Sequence, residues 1–391
     1  MKFTEPENSA PTGYGEVNER LRGMIYVVAS TVLSVSILVS TLNAQPQSTL
    51  RSTFQKYFLV GAALNQAQYS GSDEKGAALA VAQFNTITPE NDLKWERVHP
   101  ALDVYAFDAP DRFVEFGEKH GMIMIGHTLL WHNQTPRWVF EDSTGKIVDR
   151  ETLLKRLHIH IQTVVGRYRG RIKGWDVVNE ALNEDGTLRQ TAWMKIIGED
   201  YLVKAYEFAH EADPNAELYY NDYSLENAPK REGAIALVKK LQSQGVHVAA
   251  VGTQGHYKMN WPSMEQVEST IVEFAKLGVK VNFTELDIDV VPATQRNEGG
   301  DVALNSQKQA RADMFAKGLP DSVQQALTRR YADLFTVFVK HADVVDRVTF
   351  WGVTDGDSWL NSGGRVNYPL LFDRNHEPKP AFFAVIKTGR N

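Results

Sequence analysis

The chain has 391 residues, a formal net charge of −6 and no cysteine, with 43% hydrophobic and 10% aromatic residues. This composition supports a large apolar core and leaves no basic field for nucleic acid or an anionic membrane surface. Without thiols there are no disulfides and no thiolate metal sites, so the compartment has to be read from the N-terminus.

Residues 1–23 are polar, lack an apolar period and are expected to be disordered. Residues 24–42, MIYVVASTVLSVSILVSTL, carry no charge and follow Arg20 and Arg22, the basic-then-apolar order of a signal peptide. Leu42-Asn43-Ala44 ends in a small residue, so cleavage is expected after Ala44 and the mature protein is expected to be secreted or periplasmic. The alternative is an uncleaved membrane anchor, since this run of 19 residues approaches the roughly 20 that span a bilayer. Met24 is a second candidate start, and N-terminal sequencing of the exported protein separates these readings. Residues 45–56 then form a short polar linker, and residues 57–391 the main folded domain.

From about residue 57, short β-branched runs alternate with longer amphipathic segments, the pattern of repeated βα units and a parallel sheet. Strand candidates fall at 57–65, 84–91, 122–132, 172–180, 216–223, 248–257, 279–288 and 347–355. Between them, segment 150–169 lines up Leu153, Leu154, Leu157, Ile161 and Val164 on one helical stripe. The segment after Pro229 does the same and stops at Gly245; segment 320–341 opens with Pro320 and Asp321, a helix-start signature. Eight such pairs predict an α/β fold, a (β/α)8 TIM barrel. The stretch 290–318 has no element pattern and is expected to be a large loop on the face that carries the active site.

In such barrels the reactive groups sit where strands end, and here those ends are polar and aromatic. They carry Glu90, Asn91, Lys94 and Trp95; His127, Trp131 and His132; Asn179 and Glu180; Asn221 and Asp222; Gln254 and His256; Glu285 and Asp287; and Trp351, Asp355, Asp357 and Trp359. Any one of them has a bland explanation as a cap, a hydrogen-bonded core histidine or a core tryptophan. Together they bring carboxylates, amides, imidazoles and indoles to one rim, which suits a sugar: indoles lie against pyranose faces while amides, Glu and Lys read hydroxyls. Cleaving a glycosidic bond in the common way takes one protonated and one ionised carboxyl. Glu180 and Glu285 form the natural pair, each ending a strong β-run. The charge of Glu285 is expected to raise the pKa of Glu180 and keep it protonated. His256 is the candidate donor to Glu285, and Asn179 the candidate reader of the sugar 2-hydroxyl. Asp176, deeper in the same strand as Glu180, reads as a structural carboxylate hydrogen-bonded within the barrel.

The motifs TPENDLKW (88–95), GHTLLWHNQTPRW (126–138), WDVVNEAL (175–182), TQGHY (253–257), FTELDI (283–288) and WGVTDGDSW (351–359) resemble, in order, those of glycoside hydrolase family 10, the endo-β-1,4-xylanases. The resemblance spans roughly residues 57–387. It implies Glu180 as acid/base and Glu285 as nucleophile of a retaining double displacement. It places Glu90, Asn91, Lys94, His127, Trp131, Asn179, Gln254, His256, Trp351 and Trp359 in the subsites that bind the sugar. It implies xylan or xylo-oligosaccharide as substrate and no cofactor, and a monomer is expected.

Neither His127/His132 nor His158/His160 has the spacing of a helical zinc pair, so no metal is expected. Two rival readings remain. The same machinery could act on another β-1,4-glucan, although Trp351 and Trp359 would crowd the C6 hydroxymethyl if the resemblance holds; comparing xylan with carboxymethyl-cellulose decides this. A glycan-binding barrel without catalysis has no need of a carboxyl pair, and release of reducing sugar from xylan excludes it.

Overall fold

A computed structural model describes residues 48–292 and 314–390. The expected disordered segment, signal peptide and cleavage site within 1–44, and most of the long loop expected at 290–318, lie outside the described residues.

The β-branched runs form β1 (Leu59–Leu64), β2 (Thr86–Pro89), β3 (Ile123–Leu130), β4 (Gly174–Asn179), β5 (Glu217–Asp222), β6 (Ala250–Thr253), β7 (His256–Lys258), β8 (Lys280–Asp289) and β9 (Val345–Phe350). Every pairing is parallel. Strands β1 to β6 pair in sequence, β6 pairs β8, and β9 joins β8 to β1, so eight strands close a (β/α)8 barrel. The intervening segments are helical: Arg150–Arg167, Ala228–Ser243 and Asp321–Lys340 fall where the apolar stripes place them. The first is capped by the Asp149 side chain and buries Leu153, Leu157, Ile161 and Val164, as its period demands.

Most strand ends fall within two residues of the sequence reading, and two runs differ by more. The run at 248–257 is broken: Gly255 has φ +81°, and the turn there separates β6 from the short β7, which pairs with the far end of β8 through His256 and Asp287. The last strand begins earlier and stops at Phe350, so Trp351 leads a loop.

The polar linker assigned to 45–56 is corrected over its described part. Leu50–Phe54 is a helix capped by Thr49, and Leu50 and Phe54 are both 0% exposed. The Phe54 ring lies 5.2 Å from Phe58 and 5.1 Å from Phe335. An i, i+4 apolar pair in a five-residue helix gives too short a period to read, yet burying two such side chains contributes about 1.5–3 kcal/mol each. The compact unit accordingly begins at Ser48.

Candidate active site

The two carboxyls come from β4 and β8, which are separated in the barrel by β5 and β6. β4 ends at Asn179, and Glu180 follows with φ +55°, a left-handed conformation uncommon for a residue with a side chain. Its N–H donates to the Asn221 carbonyl at 2.9 Å, while the N–H of Glu285 donates to the Gln254 carbonyl at 2.7 Å. Between them, Gly252 leaves room for the Asn221 carboxamide: a Cβ there would lie 2.4 Å from Asn221 Oδ1.

Glu285 is surrounded by donors. Asn221 Nδ2 donates to Oε1 at 2.9 Å, and Asn221 Oδ1 accepts from the Thr284 hydroxyl at 2.6 Å. His256 Nε2 lies 3.1 Å from Glu285 Oε2 and Nδ1 lies 3.0 Å from Asp287 Oδ1. A ring with a carboxylate at each nitrogen donates from both when it is protonated. Burial opposes the charge on His256, but the charge and hydrogen bond of Asp287, together with those of Glu285, raise it to about 10. Burial likewise works to raise Glu285; the His256 hydrogen bond, the imidazoles of His127 and His256 and the Asn221 amide outweigh it and hold the carboxyl below the ordinary glutamate value.

Glu180 has the opposite surroundings. Trp131 Nε1 donates to Oε2 at 2.9 Å and Gln254 Nε2 to Oε1 at 3.0 Å, with the Asn179 carboxamide alongside. Burial raises this carboxyl, the charge of Asp222 raises it further, and the two hydrogen bonds only partly oppose them; the result is about 7. Glu285 adds the expected upward push, a smaller one than burial or Asp222.

The other residues expected at the rim join the same network. Lys94 Nζ donates to Asn91 Oδ1 at 3.0 Å and lies 5.3 Å from the Trp131 ring centroid; burial lowers its pKa, while Glu285, Glu90 and Glu180 act in the other direction. Burial raises Glu90 despite Lys94. His127 Nδ1 is 2.9 Å from Asp176 Oδ2, so Asp176 is indeed a buried carboxylate bonded inside the barrel. Trp351 sits edge-on to His127 at 5.4 Å, and Trp359 donates its indole N–H to Asp287 Oδ2 at 2.8 Å. Two residues escaped the sequence reading. Asn65 and Gln68, at the end of β1, donate to the two oxygens of Asp357 at 3.2 and 3.1 Å. The signal was present, since they form a capping box directly after the first strand, where the strand-end rule applies equally.

The two histidines of the helix Arg150–Arg167 have other partners: His158 meets Glu211 at 3.1 Å, and His160 stacks on Trp95 at 3.6 Å and meets His99 at 3.1 Å. Among the described residues no group of three or more metal-ligating side chains is arranged around a common point. What the site offers is one buried carboxyl raised to about 7 and a second held below the ordinary glutamate value, with amides and indoles around them, a contrast that can supply an acid and a nucleophile.

The family model of glycosyl hydrolase family 10 matches residues 49–388. The chain belongs to glycoside hydrolase family 10. A family relative, endo-1,4-beta-xylanase A of Xylanibacter ruminicola, is 43% identical over 91% of this chain and 97% of its own. A solved family 10 endoxylanase retrieved from a sugarcane soil metagenome superposes with a TM-score of 0.82 at 41% identity, covering 88% of this chain and 100% of that one. The intracellular xylanase of Thermoanaerobacterium saccharolyticum, solved as a glutamate-to-alanine mutant with xylotetraose, gives a TM-score of 0.76 at 36% identity, covering 87% and 99%.

Proposed function

We propose that this family 10 hydrolase is a retaining endo-1,4-β-xylanase, with Glu180 as acid/base and Glu285 as nucleophile. The observation that carries the reading is the contrast between two buried carboxyls at one rim, Glu180 raised to about 7 and Glu285 held low. Near neutral pH the first holds a proton to give and the second a lone pair to attack.

In the first step a Glu285 oxygen attacks the anomeric carbon while the proton on Glu180 passes to the glycosidic oxygen, which leaves with the bonding pair. The product is a glycosyl ester of Glu285. That ester carries no charge, so Glu180 ionises more readily and takes a proton from water as the water oxygen attacks the anomeric carbon; Glu285 departs as carboxylate. The protonated His256 donates its Nε2–H to Glu285 and its Nδ1–H to Asp287, and so stabilises the departing carboxylate without giving up either proton. Glu90, Asn91, Lys94, His127, Asn179 and Gln254 read sugar hydroxyls, Trp131 orients Glu180, and Trp351 and Trp359 give the pyranose apolar faces and crowd a C6 substituent.

The substrate is supported by the names of the relatives and by the xylotetraose bound to one structural neighbour, and retention by membership of family 10. Proton NMR of xylo-oligosaccharide hydrolysis tests both: the β-anomer is expected first, before mutarotation. First appearance of the α-anomer, or faster cleavage of carboxymethyl-cellulose than of xylan, would overturn the proposal.

A further inference from the structure

Below the rim, next to Glu180, lies an ion pair that the reaction itself does not use. Asp222 ends β5 and Lys230 stands in the first turn of the helix Ala228–Ser243; both side chains are 0% exposed, with Nζ and Oδ1 3.0 Å apart. The Asp222 carboxylate is fully engaged. Oδ2 accepts from the Tyr220 hydroxyl at 2.6 Å and faces the N–H of Leu182 at 3.4 Å, two residues past Glu180, while Oδ1 also accepts from the Tyr223 N–H at 2.9 Å. Lys230 Nζ lies 3.3 Å from the centroid of the Tyr223 ring and reaches Glu184 Oε1 at 3.4 Å, on the loop that leaves β4. Asn227 donates to the other oxygen of Glu184 at 3.4 Å. A Cβ on Gly233 would lie 2.2 Å from the Gly186 carbonyl, so that loop is pressed directly onto the helix.

A buried ion pair seldom adds net stability over apolar residues of the same size, so its place beside the acid invites a functional reading. We propose that Asp222, held by Lys230, is a positioning residue for Glu180: its carboxylate fixes the turn after β4 and, as a fixed negative charge, keeps Glu180 in the proton-donating form. The inference rests on Glu180 being the acid. The geometry explains how a residue can hold the left-handed φ of Glu180, because the chain is tied on both sides of it, at its own N–H by Asn221 and at Leu182 by Asp222. It also agrees with the order of influences on Glu180, in which the charge of Asp222 follows only burial. The other groups facing Glu180 are Lys94, Glu285 and the neutral Trp131 and Gln254; those facing Asp222 are Lys230, Tyr220 and Tyr201.

The test is the pH profile of kcat/KM on xylan for the full chain and for Asp222→Asn. Removing the carboxylate while keeping an acceptor for Leu182 is expected to move the alkaline limb down by about one pH unit, with about tenfold lower kcat/KM above both limbs and a much smaller loss on the acid side. The variant D222N/K230M removes the pair as a neutral whole and covers the case in which an unpaired lysine unfolds the single variant; the limb is expected to move the same way by less. An alkaline limb that stays in place while the rate falls equally at every pH would reduce the pair to a structural one and overturn the inference. The residual activity of Glu180→Ala on xylan, whose leaving group does need the proton, separates the two failures. If the limb survives in that variant, the assignment of Glu180 is wrong; if it disappears there yet is unmoved by Asp222→Asn, only the inference fails.

Discussion

Glu180 and Glu285 are the same residue type at the ends of strands of one barrel, both nearly inaccessible, and they are driven in opposite directions. Around Glu285 the chain gathers donors: the two-faced His256 and the Asn221 amide. Around Glu180 it gathers neutral donors and a like charge, Asp222. Burial penalises both carboxylates equally in kind, so burial alone would make two acids and no nucleophile. Only on the Glu285 side is the penalty outweighed, and the division of labour follows from that local difference.

The strongest way to break the comparison is to delete each carboxyl in turn. Glu285→Ala is expected to lower kcat on every substrate by roughly 10⁴-fold or more, because the covalent step has no substitute. Glu180→Ala is expected to cost roughly 10²- to 10⁴-fold on xylan but far less in the first step on an activated aryl xyloside. Equal losses on both substrates would contradict the role of Glu180.

A smaller effect sharpens the other side. His256→Gln removes the cation that holds Glu285 low, so the acid limb of kcat/KM is expected to move to higher pH; an unmoved limb would mean that His256 does not set the state of Glu285. The same residue enters stability. Its folded pKa of about 10 lies above the ordinary 6.5, so the stability it contributes is complete below about 6.5 and is lost as pH rises through 10. Thermal melts of the wild type should therefore fall more steeply over that window than those of the variant.

The fold was legible because each barrel stave is a β-branched run and each intervening helix carries a stripe of apolar residues at helical spacing. The site was legible because the barrel gathers strand ends at one rim, so Glu180, Glu285, His256 and Trp359 could be named before any geometry was known. Less legible were features whose signal is not periodic. Leu50 and Phe54 form a helix too short to show a period. Gly255 divides a run that looks continuous, and that break is what turns His256 toward both Glu285 and Asp287. The chief causes of the state of Glu180 were also hidden. Asp222 could be seen at a strand end, but its buried partner Lys230 is a lysine in a helical first turn that on composition alone belongs in solvent.

The most direct test of the account is a carbon-13 NMR titration of the protein labelled at the glutamate carboxyls, with signals assigned by Glu180→Gln and Glu285→Gln. The account predicts that Glu180 titrates near 7 and Glu285 below 4.5. The reverse order, or two carboxyls that both titrate below 4.5, would contradict it.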